Sequence, residues 1–226
     1  MGMTEALRAR GRPRAEENPA PMESVLAAAV NEFAVRGYDG VSVRTLGQAL
    51  GVSHNLLHQR FGSKEALWQA AIEWAFGPLV AAMNEADDEG RDPLDRLWTS
   101  IRTFVRYSAD HPDLLRLMDL EGASPSWRLD YLADRFIAPV LARTTELLDS
   151  LERQGAIQPI PHVITYYLIT SGAGSLFARI ALTERLFGSE PLQSDQYDRY
   201  ADIIADVIVN SLRPGNRDGS HWVQPS

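Results

Sequence analysis

Apolar residues recur at helical spacing along most of the chain. The first such run is Met22, Val25, Leu26, Ala29, Val30 and Phe33. Intervals of three and four residues predict an amphipathic helix, and we expect it to end near Gly37, because glycine commonly follows a helix C-terminus. Further helices are predicted at about 64–86, 93–109, 112–120, 126–154, 161–186 and 195–212. Inside the first of these, Pro78 predicts a kink or a break. No segment has the pattern of a strand, so the predicted class is all-α.

Two short helices are predicted after the first amphipathic helix. Ser42 is a candidate N-cap of the first, and Gly51 stands where a sharp turn needs a residue without a β-carbon. Ser53 is the candidate cap of the second short helix, and Gly62 ends it. Ser63 then caps the next helix. The segment therefore predicts two helices joined by a tight turn.

The second short helix has one apolar and one polar face on a helical wheel. Leu57 and Phe61 fall on the inward face. The outward face has no acidic residue and is rich in hydrogen-bonding groups; it consists of His54, Asn55, Leu56, His58 and Gln59. Amide and imidazole groups can bond base edges or phosphates, and a methyl-bearing side chain can contact thymine. This face is typical of a helix that reads DNA.

The two histidines of this face have other interpretations. A pair at i and i+4 can share a zinc ion, but the residue after His54 is Asn55 where a zinc protease has glutamate, and no third ligand is near in the sequence. Buried structural histidines are disfavoured, because the wheel places neither beside Leu57. A solvated face that reads nothing is the more serious alternative.

The charge of the chain is unevenly distributed. The net charge is −8, yet residues 1–64 contain eight basic and six acidic side chains. This N-terminal part therefore carries +2 and the remainder −10. A mildly basic head on an acidic body can orient the protein toward a polyanion.

Composition excludes several classes of protein. The 226 residues include no cysteine, so disulfides and thiolate chemistry are absent, which fits a reducing compartment. The Arg-rich N-terminus lacks the apolar region of a secretory signal, and no apolar run reaches the roughly 18 residues of a membrane span. We find no nucleotide loop, metal set or catalytic triad. We therefore expect a cytoplasmic protein that is not an enzyme, with no cofactor and no membrane partner.

The stretch "SVRTLGQALGVSHNLLHQRFGSKEALW" at 42–68 resembles the DNA-binding domain of the TetR family of bacterial regulators. The resemblance covers about residues 22–72, and the remaining two-thirds resembles the variable helical body of the family more loosely. It implies a three-helix helix-turn-helix domain followed by a larger helical domain for ligand binding and dimerisation. The domains expected are a flexible arm (1–21), the DNA-binding domain (22–68), the ligand and dimer domain (69–213) and a disordered tail (214–226).

The resemblance also implies roles for single residues. Ser42 and Arg44 would contact phosphates, and the outward face of the second short helix would lie in the major groove. Lys64 would hold a phosphate at a helix N-terminus, where the helix dipole favours anions. His58 replaces a tyrosine that is usual in the family, and the position of Leu56 is often polar or small, so the base preference does not follow from the resemblance.

The motif "RGRPR" at 10–14 resembles an AT-hook. Its arginines, Arg12 and Arg14, would enter the minor groove of A·T-rich DNA, where negative potential is concentrated. The alternative is a disordered tail that only adds solubility.

The acidic body carries two further expectations. The resemblance implies a pocket that would suit an apolar or aromatic ligand, and the candidate lining residues are Trp74, Trp98, Phe104, Met118, Trp127, Tyr131 and Tyr166. It also implies that the last two long helices pair with those of a second copy. The candidate interface residues are Tyr167, Ser171, Gly174, Tyr200, Ile204, Val207 and Ile208, although an ordinary intramolecular core is the alternative.

The function expected is that of a homodimeric repressor released from a palindromic double-stranded DNA operator by a small molecule. A DNA-binding activator or a ligand-blind regulator is an open alternative. A helical small-molecule-binding module that no longer reads DNA is a third.

Overall fold

The computed structural model describes residues 21–50, 52, 54–189 and 193–215. Within these ranges all regular elements are helical and none is a strand, which confirms the predicted all-α class. The helices are α1 (Met22–Gly40), α2 (Val43–Ala49), α3 (His54–Phe61), α4 (Lys64–Ala86), α5 (Pro93–Asp110), α6 (Pro112–Glu121), α7 (Trp127–Leu132), α8 (Ala138–Arg153), α9 (His162–Tyr167), α10 (Ser175–Ala178), α11 (Ile180–Phe187) and α12 (Tyr197–Leu212).

Several predictions fall on other parts of the chain. The arm at 1–21 and the tail at 214–226 lie outside the described residues, apart from positions 21, 214 and 215. Arg12 and Arg14 therefore lie outside the description, as do the turn residue Gly51 and the candidate cap Ser53.

The head consists of α1, α2, α3 and the start of α4. Phe33 of α1 and Leu46 of α2 are buried in the core that Leu67 and Trp68 of α4 also enter. The helical conformation of α1 is interrupted at Gly37, whose φ of 69° and ψ of 167° are not helical, so the predicted end of this helix lies at a real break in its geometry. One further turn follows before α2.

Helix α4 belongs to both the head and the body. Its first turns bury Leu67 and Trp68 in the head, and its later turns bury Phe76 and Leu79 against the body. The helix passes Pro78 without the expected break. The predicted division between domains at 68 and 69 therefore falls inside one continuous helix, and it stays a prediction.

The body is a bundle in which α5 is the central helix. It packs against α4, α8 and α12. The α5–α12 contact is reinforced at its surface by Arg102, which donates to Asp202 at 2.5 Å and to Asp198 at 2.9 Å. None of the described helices is long and apolar enough to cross a membrane.

Two of the predicted helices contain π-helical segments, and the second of them is also broken. The stretch predicted at 126–154 is α7 and α8 joined by a π-helical segment, Ala133–Ile137. The stretch predicted at 161–186 contains α9, a second π-helical segment (Leu168–Ala173), α10 and α11, with a break at Arg179. A 3₁₀ turn, Ser194–Gln196, precedes α12.

Candidate nucleic-acid interface and body cavity

Helix α3 lies at the surface of the head with one face buried. Leu57 is 1% exposed and packs with Val25 and Val52 in a small hydrophobic cluster. Away from Leu57, the exposed side chains are Asn55, His58 and Gln59, and Arg60 is also exposed near the end of the helix. The amide and imidazole groups predicted to read bases are therefore accessible to a large partner.

Two residues of the predicted reading face differ from the rest. Leu56 is half-buried and packs against the cluster around Leu57, because it lies on a flank of α3, about 100° from Leu57 on the helical wheel. The reason is that a flank residue lowers its free energy by covering the apolar cluster. His54 begins α3, but its side chain lies outside the description.

The start of α4 is built as the sequence predicts. Gly62 adopts a φ of 75°, which ends α3, and the hydroxyl of Ser63 accepts a hydrogen bond from the backbone N–H of Ala66 at 3.0 Å. His58, Ser63 and Lys64 line one groove beside this helix N-terminus. The groove therefore combines a helix dipole with a cation and hydrogen-bonding groups, which suits a phosphate.

The start of α2 presents Ser42 and Arg44, which are both exposed. Ser42 occupies the predicted N-cap position, but its side chain makes no capping hydrogen bond. Its carbonyl oxygen instead accepts a hydrogen bond from the hydroxyl of Thr45 at 2.8 Å. Ser42 is therefore the N-cap residue by position, without a capping bond from its hydroxyl. The phosphate contact expected of this residue stays a prediction.

The charge of this surface has one sign. Positions 40–64 contain Arg44, Arg60 and Lys64 and no acidic residue. The nearby Arg36 forms an ion pair with Glu32 at 2.8 Å and adds little net charge. A surface with these properties attracts a polyanion in spite of the acidic body.

Tyr38 is an organising residue of the head that the sequence reading missed. Its ring stacks on Phe33 with centroids 6.0 Å apart and meets Trp127 of the body edge-on at 5.5 Å. The Lys64 ammonium lies 4.3 Å from the ring centroid, and the Arg128 guanidinium lies 4.8 Å from it. Burial, and secondarily the Glu65 carboxylate, raises the pKa of Tyr38. An aromatic residue directly after the break at position 37 was the only local signal.

The head and the body meet around this ring. We call the set Tyr38, Lys64, Trp68, Glu121, Trp127 and Arg128 the head–body seam. Within it, Arg128 Nε donates to Glu121 Oε2 at 2.8 Å, and the Glu121 side chain is only 3% exposed. The other oxygen, Oε1, is buried without a hydrogen-bond partner. The seam thus contains a buried ion pair in which one oxygen of the Glu121 carboxylate has no hydrogen-bond partner.

The body contains a cavity between α4, α5, α8 and α9. Its empty volume is about 860 Å³ when its opening to solvent is included. The walls are mainly aliphatic and aromatic, with Phe76, Phe104 and Phe136 among them, and Met118 of α6 closes one side. A largely apolar cavity with a few polar groups is typical of a small-molecule site.

Three of the predicted lining residues, Phe104, Met118 and Tyr166, do line this cavity. Burial raises the pKa of the Tyr166 phenol, which therefore stays neutral at ordinary pH. The prediction that Trp98 lines the same cavity is corrected, because its indole N–H donates to Asp206 on α12 at 2.8 Å on another side of the bundle.

The other three predicted residues, Trp74, Trp127 and Tyr131, also lie outside this lining. Trp127 and Tyr131 pack on Trp68, with ring centroids 5.2 and 5.8 Å apart, and Trp74 is half-buried against the main core. Trp127 and Tyr131 are thus held by edge-to-face ring contacts with Trp68, an arrangement that aromatic pairs favour.

The body also exposes apolar side chains on α9, α11 and α12, which we call together the exposed apolar face. Helix α12 buries the small residues Ala201 and Ala205 against the bundle, while Val207 is 63% exposed. The larger exposed residues on the other two helices are Val163, Ile164, Tyr167, Leu182, Leu186 and Phe187. An exposed apolar surface of this kind is typical of an interface.

The predicted interface residues divide between this face and the core. Tyr167, Ser171 and Val207 are exposed, and Tyr200, Ile204 and Ile208 are half-buried. Gly174 is buried, and a β-carbon on it would lie 2.6 Å from Leu115 Cδ1. Its place in the interface is therefore corrected, because it allows close packing within the protomer.

No group of three or more His, Asp or Glu side chains that could hold a metal ion occurs in the part of the chain that the structure describes. The side chain of His54 lies outside that part, so the zinc interpretation of the two histidines is not addressed by this finding.

Comparison with known proteins agrees with this architecture. Residues 25–71 match the profile of "Bacterial regulatory proteins, tetR family". Residues 93–208 match that of "Tetracyclin repressor-like, C-terminal domain", which covers about half of the chain. A helix-turn-helix head on a helical body of this kind defines a DNA-binding transcriptional regulator. The chain belongs to the TetR family.

Individual relatives are similar over most of their length. The HTH-type transcriptional regulator RutR of Escherichia coli K12 is 22% identical over 197 residues, which are 86% of this chain and 92% of RutR. The crystal structure of the TetR family transcriptional regulator PfmR from Thermus thermophilus superimposes with a TM-score of 0.65 at 25% identity, over 87% of this chain and all of PfmR. HlyIIR, a hemolysin II transcriptional regulator, shares the fold with a TM-score of 0.63 at 20% identity, over 84% of this chain and 96% of HlyIIR.

Proposed function

We propose that this regulator is a homodimeric repressor that binds a two-fold operator through α3 and leaves it when a small apolar ligand fills the body cavity. The observation that carries the proposal is the exposed amide and imidazole face of α3 on a head surface, at positions 40–64, without acidic residues. RutR is named a transcriptional regulator, which supports the same function. Such a protein acts in the cytoplasm, where its DNA lies, and needs no catalytic activity.

The contacts with DNA divide into two kinds. Asn55 and Gln59 are the candidates for base edges, because amides can donate and accept toward adenine at once. Arg44 and Lys64, with Ser42, are the candidates for phosphates. Lys64 is suited to this because its contact with the Tyr38 ring holds the ammonium at the surface near the N-terminus of α4. His58 borders the same groove and can serve the backbone.

The exposed apolar face supports dimerisation. The apolar side chains of α9, α11 and α12 are exposed to water, and burying them against a partner would lower the free energy. A second copy is the natural partner, because two recognition helices related by a two-fold axis match two half-sites of an operator. Val207 and Tyr167 lie on this face and would be buried in the dimer.

Two helices supply a physical connection between cavity and head. Helix α6 contributes Met118 to the cavity and Glu121 to the head–body seam. Helix α4 contributes Phe76 to the cavity and Lys64 to the DNA surface. A ligand that contacts both helices can favour a different arrangement of the heads, provided that it binds that arrangement more tightly. Release from the operator is the expected consequence.

The test is selection of binding sites from a random pool of double-stranded DNA by the purified full chain. Enrichment of one palindrome is expected, and the double variant Asn55→Ala/Gln59→Ala serves as the control that should lose it. No enrichment by protein shown to be folded and dimeric would contradict the proposal. A reporter under the selected operator then separates repression from activation, since deletion of the gene raises expression only for a repressor.

A further inference from the structure

The polar groups of the cavity lie mainly on one side. Apart from Ser100, the polar side chains of the lining come from α8, from α9 and from the π-helical segment after α9. They are Thr144, Thr145, His162, Thr165, Tyr166 and Thr170. The remaining walls are hydrocarbon. A ligand that fits both parts has an apolar body with polarity at one end.

One hydroxyl on the polar side has an unmet hydrogen bond. Thr165 is 1% exposed, and its Oγ1 has no partner. Thr144 and Thr170, by contrast, each donate to the carbonyl oxygen one turn earlier, at 2.9 Å. A buried hydroxyl without a partner is costly. The O–H of Thr165 therefore needs an acceptor that the protein itself does not supply.

The lining also lacks a counter-ion for a charged ligand. No Lys, Arg, Asp or Glu occurs among the described residues that line the cavity. His162 does line it, but its Nε2 already lies 3.1 Å from Asp149 Oδ1. A carboxylate or an ammonium group would lose its hydration here without a partner, which is strongly unfavourable.

We propose that the cavity binds an uncharged, mostly hydrocarbon molecule that presents one oxygen acceptor, such as an alcohol, ketone or ester, to the hydroxyl of Thr165. This inference rests on the proposed function of the cavity as the effector site. It adds the chemical class of the effector and the residue that recognises its polar end.

The test compares octan-1-ol, octanoate and octylamine as probes of the full-length dimer at neutral pH by titration calorimetry. Octan-1-ol is expected to bind at least about tenfold more tightly than either charged probe. Thr165→Val should weaken octan-1-ol roughly threefold to tenfold, the value of one neutral hydrogen bond. Thr144→Val is the comparison variant: Thr144 also lines the cavity, but its hydroxyl already donates to a backbone carbonyl oxygen, so this change should weaken octan-1-ol binding less than Thr165→Val does. Thr165→Ser keeps the hydroxyl and should restore binding.

Three results would overturn the inference, and they bear differently on the proposed function. Octanoate or octylamine binding as tightly as octan-1-ol, with release of operator DNA, would overturn the neutral class but leave ligand-responsive regulation intact. If Thr165→Val and Thr144→Val lowered the affinity for octan-1-ol equally, Thr165 would not be the residue that recognises the polar end of the ligand. Absence of binding by all three probes to folded, DNA-binding protein would overturn both the inference and the role of this cavity.

Discussion

Replacement of Arg128 by methionine should destabilise the protein far more than loss of an ordinary surface ion pair. Arg128 Nε donates to Glu121 Oε2 at 2.8 Å, and the Glu121 side chain is 3% exposed. Its Oε1 already lacks a partner. Methionine has no hydrogen-bond donor, so the substitution leaves a buried carboxylate without its cation.

The expected size of the effect follows from burial. Removal of one member of a buried ion pair costs about 3–5 kcal/mol, because the other charge stays desolvated. The Arg128 side chain is 19% exposed, so water can reach part of the gap, and we expect a value near the lower limit. A loss of about 3 kcal/mol lowers the melting temperature of a chain of this size by about 6–12 °C.

The chain offers a control with the same atoms at the same distance. Arg36 Nε and Glu32 Oε2 are also 2.8 Å apart, but these side chains are 57% and 28% exposed. Arg36→Met should cost only about 0–1 kcal/mol, because water screens the pair and solvates the remaining acid. The assay is thermal and urea unfolding at one fixed protein concentration, since the proposed dimerisation would make the stability depend on concentration.

A double variant separates the buried charge from lost packing. Glu121→Gln/Arg128→Met removes the carboxylate together with its partner and should recover a large part of the stability lost in Arg128→Met. If Arg128→Met cost no more than Arg36→Met, burial of Glu121 would not control the energy of the pair, and the reasoning would be wrong.

Three further predictions concern other parts of the molecule. Val207→Glu should weaken dimerisation by at least about a hundredfold in sedimentation equilibrium, because the dimer would bury an unpaired charge on each side. The control Val35→Glu, at a site on α1 that is 64% exposed, should not weaken it. Equal effects of the two changes would place the interface elsewhere. Gln59→Ala should change the base preference at one operator position by about 1–3 kcal/mol. Lys64→Ala should instead lower the affinity for all DNA sequences and reduce the slope of log affinity against log salt concentration by about one. Identical binding profiles of the two variants would contradict this division between base and phosphate contacts. Gly174→Ala places a β-carbon 2.6 Å from a methyl group of Leu115. The change should lower the free energy of unfolding by about 1–3 kcal/mol. An unchanged midpoint of urea unfolding would mean that the surrounding side chains move aside without cost.

Much of the fold follows from local pattern. The predicted helices at 93–109 and 112–120 correspond to Pro93–Asp110 and Pro112–Glu121, because proline at the first helical position and an amphipathic stripe are local signals. The cap at Ser63 and the left-handed turn at Gly62 are equally local. Helix caps depend on neighbours within a few residues, so the sequence contains what is needed to place them.

The errors involve partners that are distant in sequence. The sequence predicts Trp98 in the cavity lining, but its side chain donates to Asp206, 108 residues away. It predicts Gly174 between protomers, but this glycine allows contact with Leu115 of the same chain. Periodicity shows which residues share a face of a helix; which element covers that face is decided by packing across the whole bundle.

Because α4 is one continuous helix, a small tilt at its cavity end displaces its other end in the head. Lys64 at one end and Phe76 in the cavity wall are 12 residues apart in a single helix, which corresponds to a length of about 18 Å. If the helix pivots near Phe76, a tilt of about 10° carries its N-terminus through about 3 Å, which exceeds the tolerance of a hydrogen bond to phosphate. A tilt that is too small to change the packing around the cavity would therefore cause a large displacement where the head contacts DNA. Substitutions that shorten this helix or lower its helical stability should allow ligand binding without release of the operator.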